Sequence, residues 1–144
     1  MNGRVVAIDF GTRRLGLAIS DRSRTLARPL ETLTVDGAAD AVDRAATRIA
    51  ELAAEEDGVM TIVVGLPTRL DGSASTSAPA VVQFIASLRA RTALPVVTEE
   101  ERLTSHEAES RLAANERDWR RRKERLDAAA AAVFLQDYLD RTSG

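Results

Sequence analysis

The sequence predicts an α/β fold, a mixed five-stranded sheet flanked by helices. Three observations lead there. Three strand-like segments fall within the first 35 residues, with no helical period between them. From residue 38 onward, apolar spacing of three and four residues alternates with short β-rich runs, the pattern of strands joined by helices. Residues 59–65 (VMTIVVG) are almost wholly apolar, which suits a central strand covered on both faces.

The elements follow in order. Residues 4–10 (RVVAIDF) read as a buried strand and 15–20 (LGLAIS) as its hairpin partner across GTRR. Residues 29–35 (PLETLTV) alternate as a third strand. Residues 38–56 take helical period, with Val42, Ala46, Ile49 and Leu52/Ala53 on one face and Gly58 as the stop. After the strand at 59–65, residues 66–79 (LPTRLDGSASTSAP) form a polar loop. A helix over 79–91 aligns Val81, Ile85 and Leu88, and residues 95–98 (PVVT) form a short strand. Thr104 and Glu107 make a capping box for a helix at 105–114. Residues 115–125 read as a charged connection, and 126–141 as an Ala-rich final helix. This order of three strands, then alternating helices and strands, is that of ribonuclease H-like folds. No internal repeat or linker divides residues 1–144, so a single domain is expected.

Composition narrows the function classes. The chain has 144 residues, 44% of them apolar, enough to bury a core. It has no cysteine and one histidine, which excludes thiolate zinc sites, cysteine nucleophiles and histidine-rich metal sites. No apolar run approaches the roughly 20 residues that span a bilayer. MNGRVVAIDF enters a strand pattern at once, so no signal peptide is expected and the expected location is cytoplasmic. The net charge of −2 does not by itself suggest a nucleic-acid binder, but its distribution is uneven. Residues 1–30 carry six Arg and two Asp, residues 31–60 carry eight acids and two Arg, and residues 117–125 carry six bases and two acids. Basic segments of this kind read either as solvated faces or as phosphate contacts.

Four places carry candidate chemistry. Asp9 lies in an apolar strand, where a carboxylate needs a partner, hydrogen bonds or a metal ion. Gly11 and Thr12 follow it, and backbone N–H groups with a hydroxyl suit a phosphate. The alternative is a strand-end Asp bonding its own turn, and the Asp-x-Gly-Thr pattern also opens sugar-kinase and actin-like ATPase folds. Those need a second similar domain, for which 144 residues leave no room. Glu99, Glu100 and Glu101 end the strand PVVT, and their mutual repulsion would be relieved by a divalent cation. Alternation would send Glu99 and Glu101 to one side and Glu100 to the other. Asp127 reads as lying in the first turn of the final helix, sharing a face with Ala130, Ala131 and Phe134, or else as an acid favoured there by the helix dipole. The loop holding Asp71, Gly72 and Ser73 suits a phosphate-contacting segment or an ordinary polar loop. His106 reads as a helix-surface residue, and Trp119 as either a stacking platform or an anchor to the core.

Taken together, these segments resemble a known family. Ala7-Ile8-Asp9-Phe10-Gly11-Thr12-Arg13-Arg14-Leu15-Gly16-Leu17-Ala18-Ile19-Ser20-Asp21 is similar to the opening motif of the YqgF or RuvX family, the Holliday-junction-resolvase-like pre-16S rRNA nucleases. Val64-Gly65-Leu66-Pro67 with Asp71-Gly72-Ser73 resembles its second motif, and Glu100-Glu101-Arg102-Leu103-Thr104-Ser105 its third. Lys123, Leu126-Asp127-Ala128, Ala131, Leu135-Gln136 and Tyr138-Leu139-Asp140 resemble its last helix. The departures are Glu100 for Asp, Ser105 for Thr, and Arg-Arg-Lys-Glu-Arg where Gly-Lys is usual. The resemblance implies a ribonuclease H-like fold and hydrolysis of phosphodiester bonds with one or two Mg²⁺ or Mn²⁺ ions. It further implies a role at the ends of precursor 16S rRNA, with resolution of four-way DNA junctions as the alternative and a non-catalytic nucleic-acid-binding module as a third reading. By position, Asp9, Glu101 (or Glu100) and Asp127 are the implied catalytic acids, with Asp9, Glu101 and Asp127 on metal. Gly11, Thr12, Arg13, Arg14, Ser73, Arg102 and Lys123 are the candidate nucleic-acid contacts. Neither a monomer nor a dimer is demanded by any segment.

Overall fold

The computed structural model describes residues 3–11, 13–66, 78–100 and 119–142. The chain runs through strands β1 (Arg4–Phe10), β2 (Arg14–Ser20) and β3 (Ala27–Thr34), helix α1 (Ala38–Ala53) and β4 (Val59–Leu66). Helix α2 (Ala78–Arg89), β5 (Val96–Glu100) and helix α3 (Trp119–Thr142) follow. The five strands form one sheet in the order β3-β2-β1-β4-β5. The first three pair antiparallel, while β4 runs parallel to β1 and β5 parallel to β4. The mixed sheet expected from the sequence is the one found.

Central position explains the composition of β1 and β4. Both are covered on two faces, so alternate residues enter opposite cores. Val5, Ala7, Ala18 and Val63 face α3 and pack on Ala131, Phe134, Leu135 and Leu139. Ile8, Leu15, Leu17, Ile62 and Val64 face the other way, onto α1 and α2 through Ala45, Ile49, Phe84 and Leu88. Burying a side chain such as Phe134 or Leu135 from water contributes about 1.5–3 kcal/mol. β3 is the sheet edge, where Pro29 lacks an N–H and the register slips between Leu17 and Ala18. Both features blunt an edge that would otherwise invite pairing.

Polar groups lock the corners. Arg4, buried beneath α1, donates to the carbonyls of Leu52 and Gly58 at 3.1 and 3.0 Å and to Glu55 at 2.9 Å, satisfying carbonyls at the helix end. Gly58 turns the chain into β4 with a positive φ of 60°. Gln136 ties α3 to the start of β3: its Oε1 accepts from Ala27 N–H and its Nε2 donates to the Thr25 carbonyl, both at 2.9 Å.

In the turn between β2 and β3, the Asp21 carboxylate accepts the Ser23 hydroxyl at 2.7 Å and the N–H groups of Thr25 and Leu26 at 2.8 and 3.1 Å. These bonds, that from Ser23 foremost, hold its pKa down to about 2. The folded value is depressed, so the turn's contribution is complete above the ordinary value of about 3.9 and is lost as pH falls toward 2. A carbon-detected NMR titration is expected to place the Asp21 midpoint near 2. A midpoint at the ordinary aspartate value would mean that the turn does not hold.

Element boundaries differ from expectation in instructive ways. β3 begins at Ala27 and ends at Thr34, because the ladder with β2 starts at Ser20↔Ala27. β5 continues past Thr98, since Glu99 and Glu100 pair with Gly65 and Leu66. α3 begins at Trp119, so residues 119–125 are helical and not a connection. Arg, Lys and Glu are strong helix formers, and no Gly or Pro interrupts them there. The helix expected at 105–114 lies outside the described residues, as does most of the loop expected at 66–79.

Candidate active site

The candidate acids depend on one glycine. Asp9 is the sixth residue of β1 and follows Val5 and Ala7 on the face toward α3. Its register partner on β2 is Gly16. A Cβ at Gly16 would overlap the backbone carbonyl of Asp127 and lie 2.8 Å from the Ala128 nitrogen. The backbone of α3 therefore rests directly on Gly16, and Asp127 stands beside the row that holds Asp9. Small residues make the approach possible: Ala7, Gly16 and Ala18 on the sheet meet Ala128 and Ala131 on the helix.

Asp127 is not in the first turn of its helix. It lies eight positions after Trp119, so the helix dipole does not account for it. Its carboxylate accepts a hydrogen bond from Arg14 Nε at 2.6 Å, with the two side chains 25% and 32% exposed. Arg14 follows the same parity as Gly16 and Ala18, which brings it up the α3 face to reach Asp127. The sequence reading gave Arg14 a phosphate contact and did not foresee this pair.

The same row continues across the sheet. Ile8 pairs with Val64 and Gly65 pairs with Glu99, so Gly16, Asp9, Gly65 and Glu99 lie at one level. Val97 packs on the α3 side and Val96 on the other. Alternation therefore puts Glu99 on the face of Asp9 and Glu100 on the opposite face. Glu99 is ion-paired with Arg141, while Glu100 is exposed. Gly16 is the position that the sequence does not single out, whereas Glu99 and the alternation of the Glu run are already legible there. The signal for Gly16 was present as a glycine in the hairpin partner of the Asp9 strand.

Of the remaining candidates, Gly11 is half-buried at the end of the β1–β2 hairpin and Arg13 is exposed, its carbonyl accepting from Val35 N–H at 2.9 Å. Lys123 falls on the first half of α3. Thr12, Asp71, Ser73, Glu101, Arg102 and His106 lie outside the described residues. Among the described residues, no three His, Cys, Asp or Glu side chains gather closely enough to hold an ion by themselves. Asp9 and Asp127 nevertheless supply hard carboxylate oxygens on one face, the donor chemistry that Mg²⁺ and Mn²⁺ take.

Among the described residues, no helix is long and apolar enough to cross a membrane. A family model described as RuvX, Holliday junction resolvase, matches residues 3–141. A relative from Koribacter versatilis that carries the name pre-16S rRNA nuclease is 40% identical over 141 residues, covering 98% of this chain and 89% of the relative. Another of that name, from Anaeromyxobacter dehalogenans, is 42% identical over 138 residues, covering 96% and 97%. A solved structure of T. thermophilus RuvC in complex with a Holliday junction substrate superimposes with a TM-score of 0.56 at 18% identity, covering 99% of this chain and 96% of that one. That likeness shows the ribonuclease H-like fold. With the family match spanning nearly all of its length, this chain belongs to the RuvX family of Holliday junction resolvases.

Proposed function

We propose that this chain is a divalent-metal-dependent endonuclease that hydrolyses phosphodiester bonds at the ends of precursor 16S rRNA, working in the cytoplasm as a single domain over residues 1–144. The observation that carries the reading is that Asp9 pairs with Gly16 in the sheet while the Asp127 backbone rests on that same glycine. The relatives named pre-16S rRNA nucleases supply the substrate class.

Asp9, Asp127 and Glu101 would hold one or two Mg²⁺ or Mn²⁺ ions, with Glu100 as the other candidate from the same run. When bound, such ions activate water as a nucleophile and stabilise charge on the phosphate oxygens. The protein's own part is positional. Asp9 stands on a strand fixed by the ladder with β2, and Asp127 on the helix that rests on Gly16, so both backbones are in place before substrate arrives. Gly11 packs against the Arg14 carbonyl, 2.7 Å from where a Cβ would stand, and its backbone N–H is the candidate phosphate contact there. Arg13, Arg14, Arg102 and Lys123, with the Thr12 and Ser73 hydroxyls, serve as sequence-independent backbone contacts.

The family's description favours a second reading, cleavage of four-way DNA junctions. One experiment separates the two. Purified protein is given a labelled precursor 16S rRNA end and, in parallel, a labelled four-way junction, each with Mg²⁺, Mn²⁺ or EDTA. The expected result is metal-dependent cleavage of the RNA, abolished by EDTA. Cleavage of the junction alone would move the activity to DNA. Binding of either without cleavage in any metal would leave a non-catalytic nucleic-acid-binding module.

A further inference from the structure

The Arg14–Asp127 pair is the feature that the proposed chemistry does not absorb. A carboxylate assigned to a metal ion is here bound by a guanidinium, at 2.6 Å through Nε. The arrangement is built and not incidental. Arg14 is the first residue of β2, Asp127 sits eight residues inside α3, and both backbones are held by the contact of α3 on Gly16. Two carboxylates on one face repel each other when no cation is near, and a fixed positive charge beside them relieves that cost.

We infer that Arg14 is the resident counter-ion of the metal-free site, and that a divalent cation must displace it from Asp127 to bind. Arg14 thus sets the affinity for metal as a positioning residue: in the resting protein it keeps Asp127 in place, and it yields that carboxylate on loading. The freed guanidinium then stands at the rim, where the scissile strand's phosphates arrive, still cationic at any physiological pH. Exchange of one cation for another keeps the local charge balanced in both states. This inference rests on the reading of Asp9 and Asp127 as metal ligands.

The test uses Mg²⁺ itself as the probe, with no nucleic acid present. Calorimetric titration is run on wild type, Arg14→Gln, Arg14→Lys and Asp9→Asn, each first checked for its thermal transition in EDTA. Arg14→Gln is expected to bind Mg²⁺ roughly threefold to fivefold more tightly than wild type, the scale of a partly exposed ion pair. Arg14→Lys, which keeps the charge, is expected to return toward the wild-type value. In wild type, the Arg14 Nε–H resonance is expected to be protected from solvent exchange in EDTA and to lose that protection when Mg²⁺ is added. Affinity in Arg14→Gln equal to or weaker than wild type, with Asp9→Asn abolishing binding, would overturn the counter-ion role while leaving the metal site standing. Binding that Asp9→Asn leaves unchanged, or no binding at all, would overturn the metal site and the counter-ion role together.

Discussion

Gly16→Ala is expected to destabilise the protein by about 3 kcal/mol, the upper end of ordinary overpacking. The added methyl would sit inside the space held by the Asp127 carbonyl and within 2.8 Å of the Ala128 nitrogen. Those atoms are helix backbone, which cannot rotate aside as a side chain can, so α3 must lift off the sheet. Lifting it loosens Ala128, Ala131 and Phe134, all buried against β1 and β2. For a chain of this size the corresponding fall in melting temperature is about 10 °C. Nuclease activity is expected to fall further than the folded fraction does, because Asp127 moves with the helix. A melting temperature within about 2 °C of wild type, well below what a 3 kcal/mol loss gives, would show that α3 does not rest on this glycine.

Asp127→Asn separates chemistry from packing. The amide keeps the shape of the carboxylate and can still accept from Arg14 Nε, but it carries no charge for a cation. Loss of the ion pair is expected to cost at most about 1 kcal/mol, given how open both side chains are to solvent. Turnover is expected to fall by roughly 100-fold to 1000-fold, the equivalent of about 3–4 kcal/mol of transition-state stabilisation. Circular dichroism and thermal melting alongside single-turnover cleavage read the two effects independently. A variant that melts like wild type and cleaves like wild type would remove Asp127 from the site.

Most of this fold is legible in the chain because its signals are local. The apolar run of β4 marks a strand buried on both faces, and the spacing of Val81, Ile85 and Leu88 marks the buried side of α2. Asp9 could be singled out because a carboxylate in such a strand is costly without a partner. What could not be read lies in the packing of segments distant in sequence. The start of α3 at Trp119 was hidden by charge, since a helix turn rich in Arg looks like a solvated connection until it is seen to continue into Ala128 and Ala131. The Arg14–Asp127 pair joins residues more than a hundred positions apart, and only the seating of α3 on Gly16 brings them together. By contrast, the opposite facing of Glu99 and Glu100 is legible from strand alternation, and the pairing of β5 with β4 agrees with it.

The central claim is that Asp9 and Asp127 act as one unit in breaking a phosphodiester bond. Its most direct test is single-turnover cleavage of a labelled precursor 16S rRNA end in Mg²⁺ by wild type, Asp9→Asn, Asp127→Asn and the double variant, all at matched folded fraction. Groups that act together lose nearly everything when either is removed. Each single variant is therefore expected to be at least about 100-fold slower than wild type, with the double variant within about tenfold of the slower single. A single variant that keeps the wild-type rate while folded, or losses that multiply as independent sites do, would contradict the account.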